Sequence, residues 1–254
     1  MIVIAHLSDI HLDGGRRSAE RTRAVMDYLE RLPCDLDAVL VTGDIADHAR
    51  AAEYEQARQL LVSRHPVLVC PGNHDERTAF RQFLMGQPGS GAPVNQVLHT
   101  AGCVIALCDS SVPGKDEGFL EDETLEWLDG VLGRAPAGLP ALVGFHHPPV
   151  PLHTPFVDGI RQFGQERLAA LVERRPQIAG FVCGHAHTPA ATTFAGRPLL
   201  VAPGVVSTLR LPWERHGDPE GPAAHVHLDQ PPALAFHILA EDGRLTTHYR
   251  TVTG

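Results

Sequence analysis

The chain is poor in positive charge. Its 254 residues carry 21 Lys and Arg against 30 Asp and Glu, which gives a formal net charge of −9. A protein that binds a long polyanion needs a cationic face, so we exclude duplex DNA or another long nucleic acid as its main partner. A small anionic substrate fits this charge only where a local group, such as a bound cation, reverses the field.

Paired cysteines and long apolar segments are also missing. The five cysteines are an odd number and contain no Cys-x-x-Cys pair, which is typical of reduced core cysteines in a cytosolic protein. The first residues, MIVIAHLSD, have no basic region and too short an apolar run for a signal peptide, and no later stretch reaches the length of a membrane span. We therefore expect a cytoplasmic protein without a membrane partner.

Short apolar runs alternate with segments of helical period. The alternation predicts an α/β fold with largely parallel strands covered by helices. The predicted strands are residues 2–7, 38–42, 66–70, 103–108, 141–145, 178–183 and 198–202. The predicted helices are residues 18–32, 51–62, 76–84, 121–132 and 165–175.

Toward the C-terminus the helical pattern stops. Residues 191–201 and 234–252 are predicted strands, the latter with a turn at residues 241–243, and the Pro- and Gly-rich residues 211–232 are predicted to be irregular. The sequence contains no flexible linker and no internal repeat. We therefore expect one domain over residues 1–254, in which residues 205–254 are a C-terminal β and irregular extension.

Five of the predicted strands end in Asp, His or Asn. In open α/β sheets the carboxyl ends of the strands build the functional site. Alone, each motif is weak, because Asp44 could be a helix cap and Asn73 a turn residue. Together they favour one shared site. Its candidate residues, in chain order, are Asp9, His11, Asp44, Asn73, His74, Asp75, His146, His147, His185 and His187.

The donor types indicate a metal centre. Carboxylate, imidazole and amide oxygen ligands suit Mn, Fe, Zn or Co, and the chain offers more of them than one ion uses. One carboxylate can bridge two ions roughly 3.5–4 Å apart. Residues two apart in an extended segment point to the same side, so we expect Asp9 with His11, and His185 with His187, to reach a common site. The prediction is two divalent or mixed-valence ions.

The motifs DIH, GD, GNHD, HH and GHAH, in this order, resemble those of the calcineurin-like metallophosphoesterases. The resemblance extends over about the first 210 residues, including SSVPG (110–114) and HHPPVPL (146–152). It is strongest to the bacterial class III cyclic-nucleotide phosphodiesterases and the related glycerophosphodiesterases. It implies a four-layer α/β/β/α sandwich of two mixed β-sheets flanked by helices, with the late β segments in the second sheet.

The family pattern also implies roles for the motif residues. One ion would be held by Asp9, His11, Asp44 and His187, and the other by Asp44, Asn73, His146 and His185. Asp44 would thus bridge the two ions. His74 would face the substrate phosphate as a catalytic residue, with Asp75 orienting it and Asn73 also close to substrate.

The implied function is that of a dinuclear phosphodiesterase, a hydrolase of cyclic nucleotides of the 3′,5′-cyclic AMP type or other small phosphodiesters by attack of a metal-bridging hydroxide. A glycerophosphodiesterase of the same fold is the alternative, and a non-catalytic metal-binding module is a third interpretation. Protein Ser/Thr phosphatases of this superfamily carry an arginine after the GD motif, and purple acid phosphatases carry a tyrosine a few residues after its aspartate. Residues 45–48 of this chain contain neither, which disfavours both of these functions.

Several further residues have open roles. Arg16 and its neighbour Arg17 either begin a solvated helix or contact phosphate at the rim of the site, and His153 is a candidate substrate contact.

His6 is predicted to lie in the core, and His147 to make a structural hydrogen bond. The histidines of the late β segments, His237 among them, are expected on a solvated or interface face. Residues 205–232, which include Trp213, pack on a sheet or form the interface of a homodimer or larger oligomer.

Overall fold

The computed structural model describes residues 1–214 and 225–253. The helices are α1 (Arg16–Glu30), α2 (Ala51–Leu60), α3 (Arg77–Ala79, continued by a π-helical turn at Phe80–Leu84), α4 (Asp122–Arg134), α5 (Pro155–Gly159) and α6 (Gln165–Arg174). A short 3-10 turn covers Pro212–Glu214. In the part of the chain that the structure describes, no helix combines the length and apolar character needed to cross a membrane.

Fifteen strands are present in the described residues. They are β1 (Ile2–Leu7), β2 (Ala38–Thr42), β3 (Val67–Cys70), β4 (Gln96–His99), β5 (Val104–Leu107), β6 (Gly118–Phe119), β7 (Ala141–Gly144), β8 (Gln162–Phe163), β9 (Ile178–Cys183), β10 (Ala190–Phe194), β11 (Arg197–Val201), β12 (Thr208–Leu209), β13 (Val226–His227), β14 (Ala233–Leu239) and β15 (Leu245–Thr251).

Two mixed sheets carry the fold. The first sheet has the order β15-β14-β1-β2-β3, and the second has the order β10-β11-β9-β7-β5-β4. The central strands β1, β2 and β3 run parallel, as do β11, β9, β7 and β5. The flanking strands β14, β15, β4 and β10 are antiparallel to their neighbours. The parallel strands therefore end at one edge of each sheet.

The apolar side chains form three layers of core. One cluster lies between the sheets, where Ile4 and Leu40 of the first sheet meet Ile105 and Leu142 of the second. A second cluster packs the first sheet against α1, α2 and α3, and a third packs the second sheet against α4 and α6. The predicted four-layer α/β/β/α sandwich is confirmed. Both faces of each sheet are covered, which is why the central strands are apolar throughout.

The predicted elements agree with the structure except for short ones. The seven apolar runs and five helical segments all form strands and helices, although α1 begins at Arg16 rather than at residue 18. The sequence pattern did not predict β4, an edge strand with partly exposed residues, or α5, a helix of five residues that begins at Pro155. It also did not predict the two-residue strands β6, β8, β12 and β13, the last of which lies within residues 211–232, predicted to be irregular. Such short segments have too few residues to show a period.

The placement of the late strands was only partly right. Strands β10 and β11 belong to the second sheet, as expected, but β14 and β15 extend the first sheet beyond β1. The prediction that His237 of β14 lies on a solvated or interface face is also wrong, since this residue is fully buried. Because β14 pairs along β1, with Ile4 opposite His237, this position lies in the interior beside the equally buried His6.

Candidate metal centre

The candidate ligands lie where the parallel strands end. Asp9 and His11 follow β1, Asp44 follows β2, His146 follows β7, and His185 with His187 follows β9, as the sequence predicted. The prediction that these segments are extended is wrong, because Asp9, His11, Asp44, His185 and His187 all have positive φ between 40° and 68°. Left-handed backbone at non-glycine residues costs on the order of 1–3 kcal/mol each and persists where the surroundings enforce it.

A first group of donors comprises Asp9, His11, Asp44 and His187, whose ligand atoms all lie within 4.8 Å of one another. The Nε2 atoms of His11 and His187 are 3.2 Å apart, and Oδ1 of Asp9 is 3.4 Å from Nε2 of His187. Three of the four residues are buried. Two imidazole nitrogens and two carboxylates that converge in this way form the donor set of a divalent transition metal.

A second group lies on the other side of Asp44. Nδ1 of His185 is 3.2 Å from Nε2 of His146, and both side chains are buried. The side-chain oxygen of Asn73 and Nε2 of His185 are buried polar atoms without a hydrogen-bond partner in the described structure. A buried polar atom left unpaired costs roughly 1–3 kcal/mol, so these atoms fit a site in which a metal ion supplies the missing partner.

Asp44 lies between the two groups. Its Oδ2 atom is 3.4 Å from Nε2 of His11 and 3.4 Å from Nε2 of His146, and its Oδ1 atom accepts a hydrogen bond from the backbone N–H of His74. Burial alone would raise the pKa of Asp44, but the imidazoles of His146 and His11 lower this pKa well below its usual value. Asp44 is therefore a carboxylate shared by both donor groups.

The loop glycine beside Asp44 cannot be replaced without displacing the site. A Cβ on Gly72 would collide with Oδ1 of Asp44 and would come within 2.8 Å of Nε2 of His146. The backbone after β3 must approach this closely to bring Asn73 and His74 to the other donors. A glycine is therefore required at this position.

Three candidate ligands are oriented by partners on their remote ring nitrogen. Nδ1 of His11 lies 2.9 Å from Oδ1 of Asp47, Nδ1 of His146 lies 2.7 Å from the carbonyl oxygen of Thr42, and Nδ1 of His187 lies 2.8 Å from Oγ of Ser207. Such contacts fix the ring and leave Nε2 free to bind a metal. None of these partners was predicted from the sequence. Asp47 follows Asp44 by three residues, whereas Ser207 carried no local signal.

The histidines differ in their preferred charge. Burial lowers the pKa of His185 well below its usual value and also lowers that of His187, so both are neutral imidazoles, the form that binds metals. Burial would lower the pKa of His146 as well, but the carboxylates of Asp44 and Asp9 outweigh it and raise this pKa to about 9. The carboxylates of Asp44 and Asp9 thus favour a positive charge at the position of His146, as expected of a site rich in carboxylates.

His147 is not available as a ligand, although it lies beside His146 and His185. Its Nδ1 lies 2.8 Å from Oγ of Ser110, and its Nε2 lies 3.2 Å from the carbonyl oxygen of Asp116. Both ring nitrogens are thus engaged. The prediction of a structural hydrogen bond for His147 is confirmed.

His74 and Asp75 are placed differently from each other. The His74 side chain is 41% exposed at the cavity, and its Nδ1 lies 2.9 Å from the carbonyl oxygen of Asp47. Asp75 does not orient His74 as expected. Its carboxylate accepts hydrogen bonds from the backbone N–H groups of Ile45, Ala46 and Gly72. Asp75 therefore ties together the loops after β2 and β3, and Asp47 is the residue that holds His74.

A cavity of about 690 Å³ opens above the donors. Its floor includes His11, Asp44, Asn73, His74, His185 and His187. Of the rim candidates, Arg17 lines the cavity, whereas Arg16 lies outside it, 92% exposed and paired with Glu20. His153 is exposed and also lies outside the cavity lining. The structure thus brings together the predicted metal ligands and His74 but neither Arg16 nor His153.

Comparison with known proteins agrees with this geometry. The family model of calcineurin-like phosphoesterases matches residues 2–189. The chain is 34% identical over 222 residues to the glycerophosphodiester phosphodiesterase GpdQ of Enterobacter lignolyticus, covering 81% of this chain and 78% of that protein. It is 31% identical over 225 residues to a probable cyclic nucleotide phosphodiesterase of Rhodococcus erythropolis, covering 84% of this chain and 74% of that protein.

Solved structures share the fold. A dimetal phosphatase from Danio rerio superposes with a TM-score of 0.72 at 17% identity, covering 99% of this chain and 96% of that one. The family match spans the strand ends that carry Asp9, His11, Asp44, Asn73, His146, His185 and His187. This chain therefore belongs to the calcineurin-like phosphoesterase family and is a hydrolase of phosphate esters.

Proposed function

We propose that this protein is a dinuclear metal-dependent phosphodiesterase acting on small phosphodiesters. The observation that carries the proposal is the position of Asp44, whose Oδ2 lies 3.4 Å from Nε2 of both His11 and His146. A single carboxylate between two donor groups is the arrangement that lets two ions act on one phosphoryl group. The curated relatives support a diester substrate, since their names specify phosphodiesterases.

The proposed ligand sets share Asp44. One ion would be held by Asp9, His11, Asp44 and His187, and the other by Asp44, Asn73, His146 and His185. The first set is supported by its mutual distances. The second is supported by the unpartnered buried atoms of Asn73 and His185. The donor chemistry suits Mn, Fe, Zn or Co.

When bound, two such ions polarise the phosphoryl oxygens and lower the pKa of a water molecule at the centre. The residues of the chain then bind and orient the substrate. Nδ1–H of His74 donates to the carbonyl oxygen of Asp47, which leaves Nε2 of His74 for the substrate. In the imidazolium form the ring also carries a proton on Nε2, which it transfers to the leaving oxygen or donates as a hydrogen bond to the phosphoryl group. Asn73, the neighbour of His74, is proposed as a second substrate contact.

The substrate class follows from charge. The protein carries −9 overall, yet the two ligand carboxylates would be outweighed by two divalent ions, so the centre attracts a monoanionic phosphodiester. We propose cyclic nucleotides of the 3′,5′-cyclic AMP type as first candidates. Glycerophosphodiesters are the second, because the 34% identical relative is a glycerophosphodiester phosphodiesterase.

The test is hydrolysis by the Mn²⁺-reconstituted protein of bis(4-nitrophenyl) phosphate and of 3′,5′- and 2′,3′-cyclic AMP, beside glycerophosphocholine. We expect turnover of the chromogenic diester that requires metal and is abolished by chelation. Absence of turnover on every diester, with two ions bound per chain, would contradict the proposal and favour a metal-binding module.

We further propose that residues 1–254 form one domain and that the protein acts in the cytoplasm. The first point is supported by β14 and β15, which join the sheet of β1 and so tie the last strands to the first. The second is supported by the four buried cysteines, which are free thiols, as expected in a reducing compartment. Assembly into a homodimer or larger oligomer is proposed from Trp213, which is 72% exposed.

A further inference from the structure

The lining of the cavity above the metal centre contains two unlike sets of side chains. Besides the polar residues of the floor it includes a set of apolar side chains, here called the apolar wall. The wall consists of Phe156, Val157 and Ile160, in and just after α5, and of Leu209, Val226 and Leu228, in and just after the ribbon formed by β12 and β13. None of these side chains is a candidate metal ligand or a proposed contact of the phosphate.

Two residues of the wall expose apolar surface. Phe156 is 45% exposed and Leu228 is 52% exposed, whereas Val157 and Leu209 of the same wall are buried. Phe156 is nevertheless held in place, because its ring stacks on that of His225 with centroids 5.6 Å apart and an interplanar angle of 18°. Exposed apolar side chains gathered along one cavity mark a binding surface.

The ribbon that supplies half of the wall is anchored to α1. Arg17 donates hydrogen bonds to the carbonyl oxygens of Val206 and Leu228, and Arg21 donates to those of Val205 and Gln230 at 2.7 Å. These contacts hold the wall at a fixed position over the floor. A ligand that spans both sides therefore meets a preformed site, which reduces the entropy lost on binding.

The charges of the cavity exclude a second anionic group on the ligand. Among the described residues that line it, Arg17 is the one arginine and no lysine is present, and its guanidinium already donates to two carbonyl oxygens. Besides Asp44 in the floor, the acidic residues that line the cavity are Asp13, Asp47 and Asp116. A ligand with one phosphodiester and an uncharged remainder fits this distribution.

We propose that the apolar wall binds a planar aromatic group of the substrate, and that the preferred substrates are monoanionic phosphodiesters carrying such a group, as a nucleobase does, rather than diesters of glycerol. This inference rests on the proposed function. Polar glycerol would leave the wall in contact with water, whereas an aromatic ring would cover it. One methylene group in a hydrophobic pocket already gives about 10- to 200-fold discrimination between substrates, so loss of a whole ring should cost at least the lower of these values.

The test compares two substrates with identical reacting atoms. They are 3′,5′-cyclic AMP and the 3′,5′-cyclic phosphate of methyl riboside, which lacks the base, and their hydrolysis by the Mn²⁺-loaded protein is followed by ³¹P NMR. We expect kcat/KM to be at least about 10-fold higher for cyclic AMP. Phe156→Ala should remove most of this preference by lowering kcat/KM for cyclic AMP more than for the baseless compound, and Phe156→Leu should retain most of it.

Phe163→Ala is the matched control, since Phe163 is 37% exposed but lies outside the cavity lining. It should leave the preference at its original value. Equal kcat/KM for the two ribose compounds in the unmodified protein, or equal losses on both in Phe156→Ala, would overturn the role of the wall. Failure of the proposed function is distinguishable, because it would also abolish hydrolysis of bis(4-nitrophenyl) phosphate.

Discussion

Nδ1 of His6 lies 2.9 Å from Nε2 of His237 in the interior of the first sheet. The contact continues on both sides, because Nε2 of His6 is 2.8 Å from Oγ1 of Thr42 and Nδ1 of His237 is 2.8 Å from Oγ1 of Thr247. Both imidazoles are fully buried. Burial lowers the pKa of His237 to about 3, and burial together with His237 lowers the pKa of His6 well below its usual value.

These two histidines should make the fold sensitive to acid. The unfolded chain binds a proton at each histidine near pH 6.5, whereas folded His237 does so only near pH 3. The contribution to stability is therefore present above about pH 6.5 and is lost as the pH falls toward 3, at about 1.4 kcal/mol per pH unit for one histidine. His237→Gln should reduce the decrease in unfolding free energy between pH 6.5 and 4.5 by roughly 2–3 kcal/mol.

The measurement is urea unfolding of the metal-free proteins at several pH values, comparing slopes rather than absolute stabilities. His248→Gln, on the exposed side of the adjacent strand β15, is the control and should keep the slope of the unmodified protein. An unchanged slope in His237→Gln would show that the buried pair does not govern acid stability.

A substitution at Asp75 tests whether this residue has a structural or a catalytic role. Its carboxylate is buried, and burial together with the nearby Asp44 raises its pKa to about 6. Asp75→Asn replaces one acceptor oxygen by a donor facing backbone N–H groups, so we expect a loss of about 1–3 kcal/mol in unfolding free energy. Metal affinity should fall with it, because the loops after β2 and β3 carry Asp44 and Asn73. Normal stability and metal affinity with reduced kcat would instead support a catalytic role.

His74 should affect turnover without affecting metal binding. It is the motif residue that we place against substrate but not against a metal, so His74→Ala should keep two ions per chain and lose on the order of 10²–10³ in rate. If His74 protonates the leaving oxygen, the loss on cyclic AMP should far exceed that on a nitrophenyl diester, whose leaving group needs little protonation. Loss of an ion, measured by elemental analysis, would make His74 a ligand with His11 and Asp47, which lie close enough for that.

The exposed Trp213 of the segment 205–232 predicts self-association; residues 215–224 of this segment lie outside the described residues. Trp213 is 72% exposed and does not line the cavity, and a large apolar side chain left in water marks a contact surface. We expect light scattering to show a dimer or larger species at micromolar concentration, and Trp213→Ser to shift it toward monomer. Val62→Ser, at an equally exposed valine two residues after the end of α2, should change nothing. A monomeric unmodified protein would contradict the prediction.

The sequence predicted the strand ends well because β1, β2, β7 and β9 are apolar runs interrupted abruptly by Asp or His. A run such as residues 178–183 has no surface-compatible face, so it must be a central strand, and the polar residues that follow must leave the sheet. The apolar run does not determine the backbone conformation of the turn that follows it. The left-handed backbone of His185 and His187 depends on contacts with Asp9 and Ser207, which come from distant segments.

Partner choice over long distances was the main source of error. Strand β14 pairs with β1 across more than two hundred residues, and the alternating pattern of β14 fits the edge of either sheet equally well. The same pairing decides whether His237 is buried, so both errors have one cause. The role of Asp75 was misjudged for a related reason, because its partners Ile45 and Ala46 come from the preceding loop. Adjacency to His74 in sequence did not mean contact in space.

The proposed phosphodiesterase function requires a centre of two ions that share Asp44. Its most direct test is the metal content of Asp44→Ala compared with that of Asn73→Ala, measured after Mn²⁺ reconstitution and gel filtration. Asn73, which lines the cavity, offers one buried, unpartnered side-chain oxygen, whereas Asp44 is 3.4 Å from donors of both groups. We predict two ions in the unmodified protein, close to one in Asn73→Ala and close to none in Asp44→Ala. Near-normal metal content in Asp44→Ala would contradict the shared centre.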